Sequence, residues 1–382
     1  MATAEVRRSA PASADELAAE LGAADGSVRV IGAATKLRWA PSAEPALELS
    51  TTGLDRILEH NAGDLTAVLE AGVPLARAQE RFREAGQMLA LDPPDAGGAT
   101  IGGIVATNDS GPLRARYGGA RDLVVGMRVA LADGTVAKSG GKVIKNVAGY
   151  DLAKLFTGSF GALGAILEVS VRLHPLPPAT ATAVGHTRSA QLLAAGAAAL
   201  SHARLEQMGL DVRWADAAGM VLARFGGVAT RPQAEAADAL LRAAGLEAEV
   251  VEEDESLWQA QREAQRSPQG LVVRVSAVQT DLTELAEIAQ RNGATLVGRA
   301  GLGLFWLRLD EGNGSGLLEE LRSGYVAVAL DRPAGMSVAA PEANLLQRRI
   351  KERFDPAGTL VGTTPSGHGS PPGTTRAPRS ST

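Results

Sequence analysis

The stretch from Leu91 to Pro177 constrains the fold more than any other part of this chain. It reads LDPPDAGGATIGGIVATNDSG, then YGGARDLVVGMRVALADG, then KNVAGYDLAKLFTGSFGALGAILEVSVRLHPLP, so that glycines recur between short β-branched runs. Glycine allows the main chain to come close to a ligand or to another backbone segment. Main-chain N–H groups can then hold an anionic ligand without many charged side chains. The pattern favours a protein that surrounds a ligand of dinucleotide size.

Composition narrows the functional classes. The chain has 382 residues, enough for two domains, and its net charge of −5 and 3% aromatic content argue against a nucleic-acid partner. It has no cysteine, which excludes disulfides, iron–sulfur clusters and thiolate zinc sites within this chain. No segment reaches the roughly 18 apolar residues of a transmembrane helix, and the N-terminus lacks the apolar core of a secretory signal. The predicted location is the cytoplasm.

The periodicity of the chain predicts an α+β protein in four parts. We expect a disordered N-terminus at 1–12, a first domain at 13–177, a second domain at 178–362 and a disordered tail at 363–382. The second domain is predicted to form an antiparallel sheet with helices on one face. A helix over 341–354 is expected to end it.

Three glycine elements are each able to surround a phosphate. The first is Gly32–Lys36, directly after a predicted strand, where successive N–H groups can form an anion-binding nest. The second is Ala99–Gly103, followed by Ala106–Asn108. The third, Gly158–Gly164, has the spacing G-x-x-G-x-x-G and follows a helical pattern, unlike a Rossmann dinucleotide-binding motif. Together they predict a site for a phosphate-containing cofactor.

These motifs resemble the FAD-binding domain of the vanillyl-alcohol oxidase and p-cresol methylhydroxylase (PCMH) type. Within that family, the stretch from Gly86 through KNVAGYDL is similar to the FAD-binding subunits of bacterial glycolate oxidases. The resemblance implies a two-subdomain FAD-binding domain followed by an α+β cap domain, whose C-terminal helix returns to the FAD domain. It also implies that FAD is non-covalent, because the first loop has no His, Tyr or Cys. The family ending NPGK is replaced by residues 361–364.

The resemblance also assigns cofactor contacts residue by residue. The implied pyrophosphate loop consists of Gly32, Ala33, Ala34, Thr35 and Lys36. The residues implied to line the flavin and its ribityl chain are Pro93, Thr100, Gly102, Gly103, Thr107, Asn108 and Gly111. The residues implied to offer main chain to the other half of the dinucleotide are Gly161, Gly164 and Ile166.

The substrate site is less defined. Oxidation of a 2-hydroxy acid needs a cation for the carboxylate and a base for the hydroxyl proton. The catalytic candidates are Tyr150, Lys145 and Arg274. The arginines of the second half, including Arg266, Arg274 and Arg299, fit a solvated face or structural ion pairs better than a carboxylate site. The five histidines are not spaced as metal ligands, so no metal site is predicted.

Several functions fit this pattern. The resemblance implies an FAD-binding subunit that acts with a catalytic flavoprotein subunit and an iron–sulfur subunit to oxidise glycolate or a similar 2-hydroxy acid. Any association with a membrane would then be supplied by these partner subunits. A second hypothesis is a self-sufficient FAD-dependent 2-hydroxy-acid or alcohol dehydrogenase. A third is a non-catalytic assembly module on a flavoprotein fold. An enolpyruvyl-sugar reductase on the same fold matches KNVAGYDLAKLF less well.

Overall fold

The computed structural model describes residues 6–39, 44–94, 98–141, 151–312, 314–336, 338 and 343–362. The predicted disordered tail, 363–382, lies outside this range. Within it, no helix combines the length and apolar character needed to cross a membrane. The α+β class is confirmed, since helices and mainly antiparallel sheets alternate along the chain.

The first half contains two main sheets. Its elements are β1 Arg7–Ser9, α1 Ala14–Gly22, β2 Val28–Ile31, β3 Leu47–Ser50, β4 Ile57–Asn61, β5 Thr66–Glu70, α2 Leu75–Arg83, β6 Gln87–Met88, α3 Ile101–Thr107, α4 Arg114–Tyr117, α5 Ala120–Leu123, β7 Val124–Ala130, β8 Val136–Gly140, α6 Ala153–Phe156, β9 Ala165–Arg172 and β10 His174–Pro175. A parallel sheet has the order β1-β3-β2, and an antiparallel sheet has the order β4-β5-β9-β7-β8. The short strands β6 and β10 pair with each other.

The two main sheets of the first half share a core. Leu17 of α1 and Leu49 of β3 pack with Leu167 of β9, so α1 and the parallel sheet cover one part of the antiparallel sheet. Ile101 and Ile104 of α3 pack in a second cluster with residues of β5, β7 and β9. This packing places the N-terminal end of α3 beside the loop that follows β2.

The second half is built on one large sheet. Its elements are β11 Thr180–Thr187, α7 Ala190–His202, β12 Gly209–Ala215, β13 Ala218–Gly226, α8 Thr230–Ala243, β14 Glu247–Val251, α9 Glu255–Glu263, β15 Leu271–Ser276, α10 Leu282–Arg291, β16 Thr295–Arg299, β17 Leu304–Leu309, α11 Ser315–Gly324, β18 Val326–Ala329 and α12 Leu345–Phe354. Within the described residues the strand order is β14-β11-β13-β12-β16-β17-β15-β18, and all pairings are antiparallel, as predicted.

The prediction that helices cover one face of this sheet holds for α7, α8, α10 and α11, which contribute to its main core. It is wrong for α9. Trp258 of α9 packs on Val184 and Leu222, side chains that alternate with those of the main core and therefore point to the opposite face. The Trp258 Nε1 donates to Thr182 Oγ1 at 2.7 Å on that same face. Because β11 and β13 carry apolar side chains on both faces, α9 can pack on the face of the sheet opposite the other helices.

The prediction of disorder over 1–12 is wrong for Arg7–Ser9. This segment pairs parallel with β3, and its side chains bond to carboxylates of Glu20 and Glu48. A strand of three residues carries no periodic signal, and here the main-chain pairing orders it. The predicted domain boundary near 177 falls between β10 and β11 and stays a prediction.

Candidate cofactor site

A cleft lies between the parallel sheet, α3 and the loop that precedes β9. It has a volume of about 900 Å³, counted out to its open mouth. The structure brings most of the predicted cofactor residues together in its lining, namely Gly32, Ala33, Ala34, Thr35, Lys36, Thr100, Gly102, Gly103, Thr107, Gly161, Gly164 and Ile166. Pro93, Asn108 and Gly111 are not among the described lining residues. Their assignment and the role of each lining residue stay predictions.

The first loop follows β2 and turns sharply at Ala34. The φ angle of Ala34 is +60°, in the left-handed region that a side chain makes unfavourable. Gly32 packs so closely on α3 that a Cβ there would lie 2.3 Å from Thr100 Oγ1. The loop is therefore held against the start of α3 in a conformation with a positive φ, as expected of an anion-binding nest.

The second element is the N-terminal turn of α3. The Thr100 side chain caps the helix by accepting the Gly103 N–H at 3.3 Å, and Gly102 N–H donates to Ala71 O at 2.7 Å. A Cβ on Gly102 would lie 2.7 Å from the Ala71 Cβ. Glycine at this position thus lets α3 approach the end of β5.

The third element contacts α3 through main-chain hydrogen bonds. Gly158 N–H donates to Val105 O at 3.0 Å, and Phe160 N–H donates to Ala106 O at 2.9 Å. Phe160 and Gly161 both have positive φ, +53° and +74°. Two of the six described non-glycine residues with positive φ, Ala34 and Phe160, thus lie in the lining of the cleft.

The C-terminal segment completes the cleft, although the sequence analysis assigned none of its residues to the cofactor. Val361 and Gly362, which stand where the family ending is altered, line the cleft. Val361 N–H donates to Val28 O at 2.8 Å, and a Cβ on Gly362 would lie 2.6 Å from both Phe160 O and Ala162 N. The other lining residues that were not predicted are Arg29, Val30, Ile31, Leu37, Thr51, Ala106 and Phe160. Only their position beside the three loops could have indicated them.

The electrostatics of the cleft suit an anion. Among its described lining residues none is acidic, and the cations are Arg29 and Lys36. The Lys36 Nζ lies 3.2 Å from Asp109 Oδ2, and both side chains are buried. Because the other lining groups are neutral, main-chain N–H groups are the principal remaining donors for an anion.

Beyond Asp109, the second sheet presents arginines toward the first half of the chain. Arg299 is fully buried and donates from Nη2 to Ser110 O and to Gln265 Oε1, both at 2.9 Å. Burial and the charge of Arg114 lower the pKa of Arg274, while Asp109 acts in the opposite direction. The expectation of a solvated face is therefore wrong for Arg299, whose side chain is fully buried, while Arg274 on β15 is half-buried.

Two carboxyl groups in this interior have strongly raised pKa values. Burial raises the pKa of Asp92 to about 7 and that of Asp211 to about 6, and Arg299 opposes both shifts. The Arg299 Nε and Nη1, the Asp211 Oδ1 and the Gln265 Nε2 have no hydrogen-bond partner within the described chain. These groups form a buried polar layer between the two halves of the chain.

The other catalytic candidates are less informative. Tyr150 and Lys145 lie outside the described residues. His60 bonds to Gln87, the His174 ring packs on Tyr117, and His202 bonds to a helical carbonyl. The described residues contain no group of three His, Cys, Asp or Glu that could hold a metal ion.

The first half of the chain is similar in sequence to known FAD-binding proteins. Residues 8–140 match the model of an FAD binding domain. The chain is 41% identical over 125 residues to glycolate oxidase subunit GlcE of Escherichia coli, which is 32% of this chain and 36% of that protein. It is 39% identical over 134 residues to glycolate oxidase subunit GlcD of Bacillus subtilis, which is 35% of this chain and 28% of that protein. The predicted cofactor, FAD, is thus confirmed, while the matched segments span about a third of these relatives.

Other comparisons extend the likeness. A D-2-hydroxyglutarate dehydrogenase of Xanthomonas citri is 37% identical over 139 residues, 36% of this chain and 29% of that protein. A solved structure of alkyldihydroxyacetonephosphate synthase superposes with a TM-score of 0.69 at 16% identity, over 92% of this chain and 75% of that one. At this identity the likeness concerns the fold alone. The predicted PCMH-type FAD-binding fold with an α+β second domain is confirmed.

Proposed function

We propose that the chain is the FAD-binding subunit of a glycolate oxidase-type complex. It takes part in the oxidation of glycolate or a similar 2-hydroxy acid and in electron transfer to a partner. The partners are a catalytic flavoprotein subunit and an iron–sulfur subunit. The observation that carries the proposal is the cleft in which three glycine loops meet, taken with the glycolate oxidase subunits among the relatives.

The described residues fit FAD. Positive φ angles at Ala34 and Gly161 shape the loops, and the lining carries cations but no carboxylate among its described residues. The lining also has no described His, Tyr or Cys, the residues that attach flavin covalently in this family, which supports non-covalent binding. In this proposal the loop after β2 holds the pyrophosphate through its N–H groups, and Thr100 and Thr107 offer neutral hydrogen bonds.

The chemistry divides between cofactor and protein. When bound, the flavin accepts the two electrons that leave the CH–OH carbon. The protein must orient the acid, and Arg274 on the interior face of the second sheet supplies a guanidinium group for its carboxylate. A base must also accept the hydroxyl proton. His60, His174 and His202 already bond to or pack on Gln87, Tyr117 and a helical carbonyl, which favours a catalytic partner subunit over catalysis by this chain alone.

A second candidate function is a self-sufficient FAD-dependent 2-hydroxy-acid dehydrogenase. The observation in its favour is that a D-2-hydroxyglutarate dehydrogenase is among the relatives. In this hypothesis the half-buried Arg274 would hold the carboxylate of the acid.

An anaerobic spectrum separates the candidates. The purified chain is expected to show the two visible absorption bands of oxidised flavin. If glycolate or D-lactate does not bleach them without air, while the reconstituted complex does bleach them, the subunit assignment is supported. Bleaching by the isolated chain would establish the self-sufficient enzyme. A colourless protein that cannot be loaded with FAD but still binds its partners would support the third hypothesis, a non-catalytic assembly module.

A further inference from the structure

The second half of the chain contacts the loop after β2 through Arg266. This arginine lies between α9 and β15, and its Nη2 donates to the carbonyl oxygen of Thr35 at 3.1 Å. The two residues are 231 positions apart in the chain. Arg266 is not among the described residues that line the cleft, so it acts on the loop from behind.

The guanidinium of Arg266 is itself held rigidly. Its Nε and Nη2 donate to the two carboxylate oxygens of Asp331 at 2.7 and 3.1 Å. Asp331 is 1% exposed and also accepts the Trp39 Nε1–H at 3.2 Å. The Arg266 guanidinium lies 5.2 Å from the centroid of the Trp39 ring. Because this guanidinium group is bound by a buried carboxylate and lies over an indole ring, it has little freedom to release the Thr35 carbonyl.

Contacts of Arg38 also hold the loop after β2 against the second half of the chain. Arg38 donates to Pro268 O, and Arg332 Nη2 donates to Arg38 O at 2.7 Å. Residues 266–268 and 331–332 therefore hold residues 35–39 at several points. In a trans peptide the N–H points away from the C=O, so fixing the Thr35 carbonyl fixes the direction of the Lys36 N–H. The Lys36 N–H is one of the donors that the loop can present to a phosphate.

We propose that Arg266 is a positioning residue for the cofactor. It keeps the pyrophosphate loop in its anion-binding conformation, so that the second half of the chain, and not the FAD-binding domain alone, sets the affinity for FAD. This inference builds on the assignment of the cleft as the FAD site and requires no activity of the chain.

The test compares Arg266→Lys with Arg291→Lys. Lysine keeps the charge but cannot bond to both Asp331 oxygens and Thr35 at once. Arg291 pairs with Glu320 on an exposed helix, so R291K makes the same chemical change away from the loop. Dissociation constants of the full-length apoprotein are measured for FAD, for ADP, which carries the pyrophosphate, and for riboflavin, which lacks it.

We expect R266K to raise the dissociation constants of FAD and ADP about tenfold or more, as for loss of a charge-assisted hydrogen bond. The dissociation constant of riboflavin should stay unchanged. R291K should match the wild type for all three. Unchanged FAD and ADP affinity in R266K, or an equal loss for riboflavin, would overturn the proposal. Failure of the wild type to bind FAD would instead overturn the cofactor assignment.

A second variant covers the case in which R266K does not fold. Trp39→Phe keeps the stacked ring but removes the hydrogen bond to Asp331, so it loosens the guanidinium without removing it. It should weaken binding of ADP by a smaller factor of about two to five, while the apoprotein stays folded with a melting temperature only a few degrees lower, because a buried hydrogen bond and some packing are lost. If W39F binds ADP as the wild type does, Arg266 does not control the loop.

Discussion

The ammonium group of Lys36 lies 3.2 Å from the carboxylate of Asp109, and the two side chains are 5% and 6% exposed. The pair joins the loop after β2 to the residue that follows the left-handed cap of α3. It thus connects the first two glycine elements at the end of the cleft that faces the second sheet. An ion pair with so little access to water is sensitive to loss of either partner.

Replacing Lys36 with Met should destabilise the protein by about 3 kcal/mol, because Asp109 is left charged and buried. The double variant Lys36→Met/Asp109→Asn should recover most of this loss. Asparagine keeps the oxygen that accepts the Ser110 N–H at 2.9 Å. Urea denaturation of the two apoproteins measures both free energies of unfolding. A double variant no more stable than K36M would contradict the interpretation.

Ala34→Gly should increase the free energy of unfolding by roughly 0.5 kcal/mol. Relief of the left-handed conformation of alanine exceeds the extra entropy of glycine in the unfolded chain by about this amount. Ala33, whose φ is not positive, is the matched control. Ala33→Gly should destabilise by about 0.5–1 kcal/mol. Thermal unfolding measures the stability of both variants relative to the wild type. Equal destabilisation of A34G and A33G would contradict the interpretation.

Asp92 should make stability depend on pH. Its pKa is raised to about 7 in the folded protein, so the folded state binds a proton that the unfolded state releases near pH 4. The resulting stabilisation is complete below about pH 4 and is lost as the pH rises through 7. Asp92→Asn should therefore be more stable than the wild type at pH 8, by on the order of a few kcal/mol, and the difference should shrink toward pH 4.

Denaturation at several pH values tests this expectation. The quantity to compare is the difference between the variant and the wild type, since carboxylates whose pKa is lowered, such as Glu70, act in the opposite direction in both proteins. A difference that does not change between pH 4 and pH 8 would show that Asp92 is ionised throughout in the folded state.

Arg274→Met should weaken binding of a small carboxylate without affecting FAD, if the interior arginines hold the substrate. Oxalate, an unreactive dicarboxylate, can be titrated into the FAD-loaded protein and followed by the change in the flavin spectrum. We expect about a 10- to 100-fold rise in its dissociation constant, the effect of losing a charge-assisted contact. Arg291→Met, on the exposed face, is the control. Equal oxalate binding by R274M and the wild type would remove Arg274 from the site.

Much of this architecture follows from local pattern. Ser13 followed three residues later by Glu16 predicts a helix N-cap, and Asp133-Gly134 between two apolar runs predicts a hairpin turn. The structure has both, and the strand at Val28–Ile31 leads into the first loop as predicted. These features depend on residues close together in the chain. The three glycine loops were also recognisable, because close approach of backbone restricts the residue type at each position.

What the sequence could not predict depends on residues far apart. Contacts such as Arg266 to Thr35, or the C-terminal lining at Val361, leave no periodic signal because each partner is an ordinary residue in its own segment. The partial burial of Arg274 was missed for a related reason. In a strand where apolar and polar residues alternate, an arginine is predicted to face solvent unless another part of the chain covers that face.

The pairing of Val361 with Val28 also bears on the order of events during synthesis. The wall of the cleft beside β2 contains residues that are made more than 300 positions apart. A nascent chain that has completed every strand of the first half still lacks Val361 and Gly362. The complete wall of the cleft can therefore form only after the second half has been made.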